Sequence, residues 1–260
     1  MIKIFHIQDR IFCLVRRFYK RPAASGVLIV SAGGLGDTVL FSLILPRLIR
    51  LAEKGEPVTL LLRRESAKMA FLLPPEVIIL AVDFDLLRGS LAYRWRQVKS
   101  LYQNHYRLVI STDFLRHPDL DESLIAAAAP GSALAMEPRP WPKHDRALIR
   151  NRMLYDRLFD SGPIDTDKVL RWSHFADWLC GNVEPAPVVK LSLNLKALPD
   201  TPDVLIQPFS AVGAKQSPVT LYRQIIDELP TGTTVALTGT AADLDNNPQF
   251  KSLLELPNVT

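Results

Sequence analysis

Hydrophobic residues in this chain fall into short unbroken runs that alternate with longer stretches of helical period. "VLIVS" (27–31) is a fully apolar strand, "TVLFSLILPRLIRLAEKG" (38–55) repeats its apolar positions at helical spacing up to Gly55, and "VTLLLRR" (58–64) is the next strand. A strand, a helix and a strand within some forty residues predict a parallel βαβ unit. The alternation continues through "EVIILAVD" (76–83), a helical "LAYRWRQVKSLYQNH" (91–105) and "YRLVIST" (106–112), so the class is α/β with helices over both faces of a parallel sheet. Residues 113–185 are less regular, and the pattern predicts loops followed by closing helices, among them "DKVLRWSHFADWLCG". A proline-rich seam over 183–203 precedes a fresh start: strand 204–210, helix 217–229, strand 233–239 and a helix over 241–256 broken at Pro248. A third strand is expected to enter at the final "PNVT". Two strands and two helices are too few to cover both faces of a parallel sheet, which predicts a chain truncated within its second half.

Charge changes this picture at one place. The 260 residues carry a formal charge of +4, but residues 1–21 alone hold six Lys/Arg against the single acid Asp9. The remainder is close to neutral, so the high isoelectric point marks one segment and excludes a nucleic-acid-binding domain. In that segment Ile4, Phe5, Ile7, Ile11, Phe12, Leu14, Val15, Phe18 and Tyr19 lie on one side of a helical wheel, with Asp9, Arg10, Arg16, Arg17, Lys20 and Arg21 on the other. It is too charged to span a membrane and has no cleavage site of the secretory kind. Two readings stand: a helix lying in the plane of an anionic membrane surface, or one docked on the protein itself. The organisation expected is a basic amphipathic helix (1–22), an N-terminal domain (23–190) and a partial C-terminal domain (191–260). Cys13 and Cys180 form no metal or disulfide pattern, which suits a reducing compartment.

The candidate chemistry lies in two strand-to-helix turns. In "SAGGLGDT" (31–38), Gly34-Leu35-Gly36 is followed by Val39 where the dinucleotide fingerprint needs a third glycine, and Asp37 stands where a pyrophosphate would sit. The second strand ends in Arg63-Arg64, not in a ribose-binding acid, which keeps an NADP-linked oxidoreductase as an alternative. A carboxylate at the start of a helix, beside glycines that let substrate approach the backbone, suits a general base; Asp37 also suits a simple helix cap. The corresponding turn of the second half, "QPFSAVGAKQSP" (207–218), has Ser210, Gly213, Lys215 and Ser217 and no acid, which suits phosphate oxygens. An acid on one turn and a cation on the other can serve as base and leaving-group stabiliser across a cleft. Other patterns are weaker. Asp83-Phe84-Asp85 imitates a metal-binding DxD but is expected to terminate a strand. His117, Asp119, Asp121 and Glu122 lack metal-ligand spacing and are expected in a solvated loop. Arg63, Arg64 and Lys68 either form a solvated edge or receive an anionic acceptor.

Taken together, the strand leading into "GGLGD", the hydrophobic helix, "VTLLLRRES", "YRLVIST", "VLIQPFSAVGAKQSPVTLYRQIIDEL" and "VALTGTAADL" resemble glycosyltransferase family 9, the ADP-heptose:lipopolysaccharide heptosyltransferases, over roughly residues 26–260. The resemblance implies a GT-B fold of two Rossmann-like parallel-sheet halves, here with the second incomplete. It implies inverting transfer of a sugar, heptose by the family's example, from an ADP-linked donor to a lipopolysaccharide-core or similar glycolipid, without metal or other cofactor, at the cytoplasmic face of an inner membrane. Asp37 would be the base and Lys215 the diphosphate stabiliser. Ser210, Ala211, Gly213, Thr238 and Gly239 would bind the donor, and Gly34, Gly36, Arg63, Arg64 and Lys68 the acceptor. The chain departs from the family at Ala211 and at Ser217-Pro218, and the family's Asp-Ser/Thr-Gly-x-x-His segment has no counterpart before Thr260. That absence keeps a third reading, a non-catalytic nucleotide-sugar-binding protein.

Overall fold

Strand β1 (Val27–Ser31) is buried along its whole length because it has a helical layer on each side. In the computed structural model, which describes residues 4–188, 201–210 and 213–260, Val27 and Ile29 point into one layer and Leu28 and Val30 into the other. Period-two alternation with both faces covered is what an unbroken apolar run encodes. The chain divides into two units, Met1–Lys190 and Leu191–Thr260.

The first unit begins with α1 (Ile4–Val15), continued by a 3-10 turn over Arg16–Phe18. After β1 come α2 (Leu35–Phe41), α3 (Leu45–Ile49), β2 (Val58–Arg63), β3 (Ile78–Val82), α4 (Phe84–Gly89), α5 (Leu91–Asn104) and β4 (Leu108–Ser111). The unit closes with α6 (Asp121–Ala128), β5 (Ser132–Met136), α7 (Asp145–Asn151), β6 (Arg157–Phe159) and α8 (Lys168–Cys180). All six strands are parallel, in the order β3-β2-β1-β4-β5-β6. One layer packs Phe41, Leu45 and Leu48 with Trp172 and Phe175 of α8; the other packs Val98 and Leu101 of α5 with Leu124 and Ile125 of α6.

Three expectations need correction. The helix predicted over 38–55 starts earlier, at Leu35, and is broken after Phe41; Pro46 opens α3 because its missing N–H costs nothing in a first turn. The region 113–185 is not mainly loops: β5 and β6 complete the sheet there. The set His117, Asp119, Asp121 and Glu122 is not in a solvated loop: His117 and Asp119 are half-buried, Asp121 and Glu122 are buried, and Glu122 pairs with the fully buried Arg116 at 2.9 Å. Removing either partner of such a pair strands a charge in the interior.

The N-terminal helix docks on its own domain. Phe12 is fully buried among Tyr19, Trp95 and Tyr102, and Asp9 forks onto the buried Arg94 at 2.6 and 2.8 Å. Asp9 thus neutralises an interior guanidinium, which fixes the helix in place.

In the second unit β7 (Val204–Ile206) pairs in parallel with β8 (Val235–Leu237), joined by α9 (Val219–Asp227) and followed by α10 (Ala241–Asn246). Val259 bridges in parallel to Val235, so the expected third strand does begin at "PNVT". Its core is small: Ile206, Ile226, Val235, Phe250, Leu253 and Val259.

Candidate functional site

In a parallel sheet whose order reverses at β1, the connections leaving β1 and β4 pass to opposite faces and leave a crevice beyond their carboxyl ends. A cavity of about 460 Å³ opens there in the first unit, and Gly34, Asp37, Arg63, Asp113, Lys168 and Arg171 are on its walls.

Asp37 is the third residue of α2. Its Oδ2 accepts the backbone N–H of Gly34 at 3.0 Å, closing the first turn, while Oδ1 accepts Lys168 Nζ at 2.6 Å. The cap and the functional readings are therefore compatible: one oxygen closes the helix and the other accepts from Lys168, a fellow residue of the cavity wall. Gly33 is the glycine this arrangement needs, because a Cβ there would lie 2.6 Å from Asp37 Cβ. A Cβ at Gly34 or Gly36 meets nothing within 4 Å, and Gly36 is not on the cavity wall. The Gly33 carbonyl is held by the buried Ser66 hydroxyl at 3.0 Å, which ties the turn to the segment after β2.

Lys168 reaches Asp37 because α8 is anchored one turn further on. Asp167 caps that helix through the N–H groups of Val169 and Leu170, and Trp172 donates its indole N–H to the Thr112 carbonyl at 2.7 Å while packing edge-on against Phe41. Lys168 lies over the same indole, 5.6 Å from the ring centroid. Residues four apart on a helix share a face, so the tryptophan sets the direction of the lysine.

Asp113 follows β4 and is only 9% exposed. It accepts the Ala32 N–H at 2.5 Å, joining the two turns that bound the crevice. Burial pushes its carboxyl up to about 6; the Ala32 hydrogen bond and the Lys168 charge oppose that rise, and Asp37 adds to it. Asp121, also on the wall, is raised well above the usual carboxylate range, chiefly by burial and then by Asp113.

The other expected residues are distributed as follows. Arg63 is on the cavity wall with its guanidinium over the Phe84 ring at 5.7 Å. Arg64 is paired with Asp83 at 3.0 Å, and neither it nor Lys68 lines the cavity. Asp83 terminates β3 and caps α4 by accepting the Leu86 N–H, as a strand-ending residue does. In the second unit, Ser210, Gly213, Lys215, Thr238 and Gly239 all follow the carboxyl ends of β7 and β8; Ala211 lies outside the described residues. Lys215 closes a 3-10 turn over Gly213–Lys215 and is exposed. Thr238 bonds to Gln207 at 2.5 Å, and Gly239 is required by Phe209, whose ring would be 2.5 Å from an added Cβ. Among the described residues no group of three or more His, Cys, Asp or Glu is arranged to hold a metal ion.

Sequence reasoning missed Asp113 and Lys168. Asp113 had a usable signal, an acid directly after a buried strand; Lys168 had none, lying 131 residues from Asp37.

No protein-family model matches the sequence, and no curated protein matches it significantly. Solved structures do. The heptosyltransferase WaaC of E. coli with ADP is 18% identical over 90% of this chain and 73% of its own, with a TM-score of 0.61. A glycosyl transferase family 9 structure from Veillonella parvula DSM 2008 is 14% identical over 90% of this chain and 68% of its own, with a TM-score of 0.64. The ADP-heptose LPS heptosyltransferase II of E. coli is 17% identical over 88% and 68%, with a TM-score of 0.53. The fold is thus α/β of the GT-B type.

Proposed function

We propose that this chain is a glycosyltransferase of the heptosyltransferase kind, transferring a sugar from an ADP-linked donor to an anionic glycolipid. The observation that carries the reading is Asp37, held by a backbone N–H and an ammonium at the switch point of a fold shared with solved heptosyltransferases. Each carboxylate oxygen has a second lone pair, so Asp37 can take the proton of an acceptor hydroxyl while keeping both present partners. Removing that proton as the hydroxyl attacks the anomeric carbon from the face opposite the diphosphate inverts the centre, and no covalent sugar–protein intermediate is needed. Lys215, Ser210 and the backbone of the turn after β7 would take the charge of the departing diphosphate, as a metal ion does in other transferases. Arg63, which lines the cavity, would receive an acidic group of the acceptor.

The acceptor's lipid anchor and the basic first segment place the protein, in this reading, at the cytoplasmic face of an inner membrane. No helix among the described residues is long and apolar enough to cross a membrane. Calorimetric titration with ADP and with NADPH tests the donor: ADP should bind, and Lys215→Ala should weaken it. Binding of NADPH without ADP would replace this reading by the oxidoreductase one.

A further inference from the structure

Docking of α1 leaves one of its faces unused. Phe12 and Asp9 turn inward, whereas Ile4, Ile7, Ile11, Leu14 and Phe18, spaced by three and four, are all exposed, Phe18 by 75%. That spacing is a single stripe. A groove of about 430 Å³ runs beside it, and α7 and the turn that follows it contribute its other wall. α7 and the turn after it also hold two exposed apolar side chains next in sequence to the lining residues Arg150 and Leu154, namely Ile149 and Met153, the latter 83% exposed.

The charges along the groove are unbalanced. Its floor is apolar, with Phe12, Val98, Ala127 and Leu154. Its three carboxylates are already engaged: Asp9 with Arg94, Asp119 with His6 at 2.8 Å, and Glu122 with Arg116 and Asn151. Arg10 on one wall and Arg150 on the other are exposed, and their guanidinium groups have no partner among the described residues. Lys143, just before α7, and Arg146, in its first turn, are likewise exposed and have no partner among the described residues. Two unpaired cations lining one groove with an apolar floor, next to exposed apolar side chains on α1 and α7, complement an anionic amphiphile and not a neutral one.

We propose that this face docks an anionic bilayer, with one lipid phosphate held between Arg10 and Arg150 while the α1 stripe and the Ile149–Met153 edge enter the acyl boundary. The proposal rests on the reading that the acceptor is lipid-anchored, and it adds α7, 130 residues downstream of α1 by sequence, to the membrane contact. It also explains why α1 is pinned by a buried ion pair: a docked helix presents its stripe in a fixed orientation, so the catalytic cavity keeps a set attitude to the membrane.

The test is flotation of the full chain with vesicles of phosphatidylcholine, with and without phosphatidylglycerol. Deleting α1 is a poor probe because it exposes the interior and strands Arg94, so exposed residues are substituted instead. Ile7→Ser/Ile11→Ser and Ile149→Ser/Met153→Ser should each lower binding to anionic vesicles. Arg10→Gln/Arg150→Gln should lower it by about fivefold per arginine, with no change on phosphatidylcholine alone. If only the α1 double variant loses binding, the groove proposal fails and an α1 anchor remains. Absence of parental binding to anionic vesicles overturns both, and so does a lipid-free dimer that the same serine variants abolish. Transfer to a soluble acceptor analogue, which none of these variants should alter, separates such failures from failure of the transferase reading.

Discussion

The turn after β1 and the turn after β4 each bring one aspartate to the same cavity, and the two are treated differently. Asp37 keeps a third of its side chain exposed and has an ammonium on one oxygen and a backbone N–H on the other. Asp113 is buried, has a single backbone donor, and is raised to about 6 by burial. Two identical side chains therefore suit two tasks. The accessible, charge-balanced one is fit to meet a substrate hydroxyl; the buried one is fit to hold the Ala32 N–H and keep the two turns together. Under the proposed transferase reading, solvation and partners, not residue type, single out Asp37 as the base.

The strongest way to break this assignment is to neutralise each acid in turn. Asp37→Asn should lower turnover by roughly 10²–10⁴-fold, the usual worth of a positioned base, with ADP affinity retained. Asp113→Asn, whose amide oxygen can still accept the Ala32 N–H, should cost less than about tenfold. The reverse ranking in a steady-state transfer assay would exchange their roles.

Stability gives a second contrast. The Asp113 carboxyl is raised in the folded chain, so the native state binds its proton more tightly than the unfolded one does. Stability should fall as pH rises from about 4 to about 6 and level off above that, by at most roughly 3 kcal/mol for a shift of about two pH units. Denaturant unfolding of the parent and of Asp113→Asn across this range should differ by that slope; parallel curves would show that the group is not desolvated. Glu56, at the amino end of the sheet, acts in the opposite sense. Arg107 and the N–H groups of Glu53 and Gly26 hold its carboxyl at about 2, so its contribution is complete above about 4.5 and is lost as pH falls toward 2. The two effects occupy different windows and can be read separately.

The smallest effects sharpen the comparison on the Asp37 side. Lys168→Met should reduce turnover by about tenfold by loosening the carboxylate, and Lys168→Arg should restore part of it. Gly33→Ala, by pressing on Asp37 Cβ, should act in the same direction without touching charge. Unchanged turnover in both would mean that Asp37 needs no outside support.

Much of the frame was legible in the chain. The runs at β1 and β2 gave strands of nearly the observed bounds, because a strand buried on both faces has an unmistakable apolar signature. β5 and β6 were not legible. "SALAM" and "RLF" are short, and the alanines of the first lack the β-branched and aromatic residues that mark a strand. The helix over 38–55 was overextended because its periodicity continues across the break after Phe41. The pattern places Asp121 and Glu122 in a solvated loop because burial of a charge carries no local signal; Glu122 is tolerated inside only through Arg116, and Asp121 accepts the His117 N–H.

The sequence by itself determined that an aspartate would close the turn after β1, since that hydrogen bond spans only three residues and follows from a strand running into a glycine-rich helix start. It also determined the amphipathic first segment, whose stripe is a property of spacing. The strand order decided the rest. Only when β4 pairs beside β1 do Asp113 and Ala32 meet, and only when α8 packs back over β4 through Trp172 does Lys168 arrive at Asp37. Contacts among groups separated by eighty to a hundred and thirty residues depend on chain closure and packing, which no local pattern encodes.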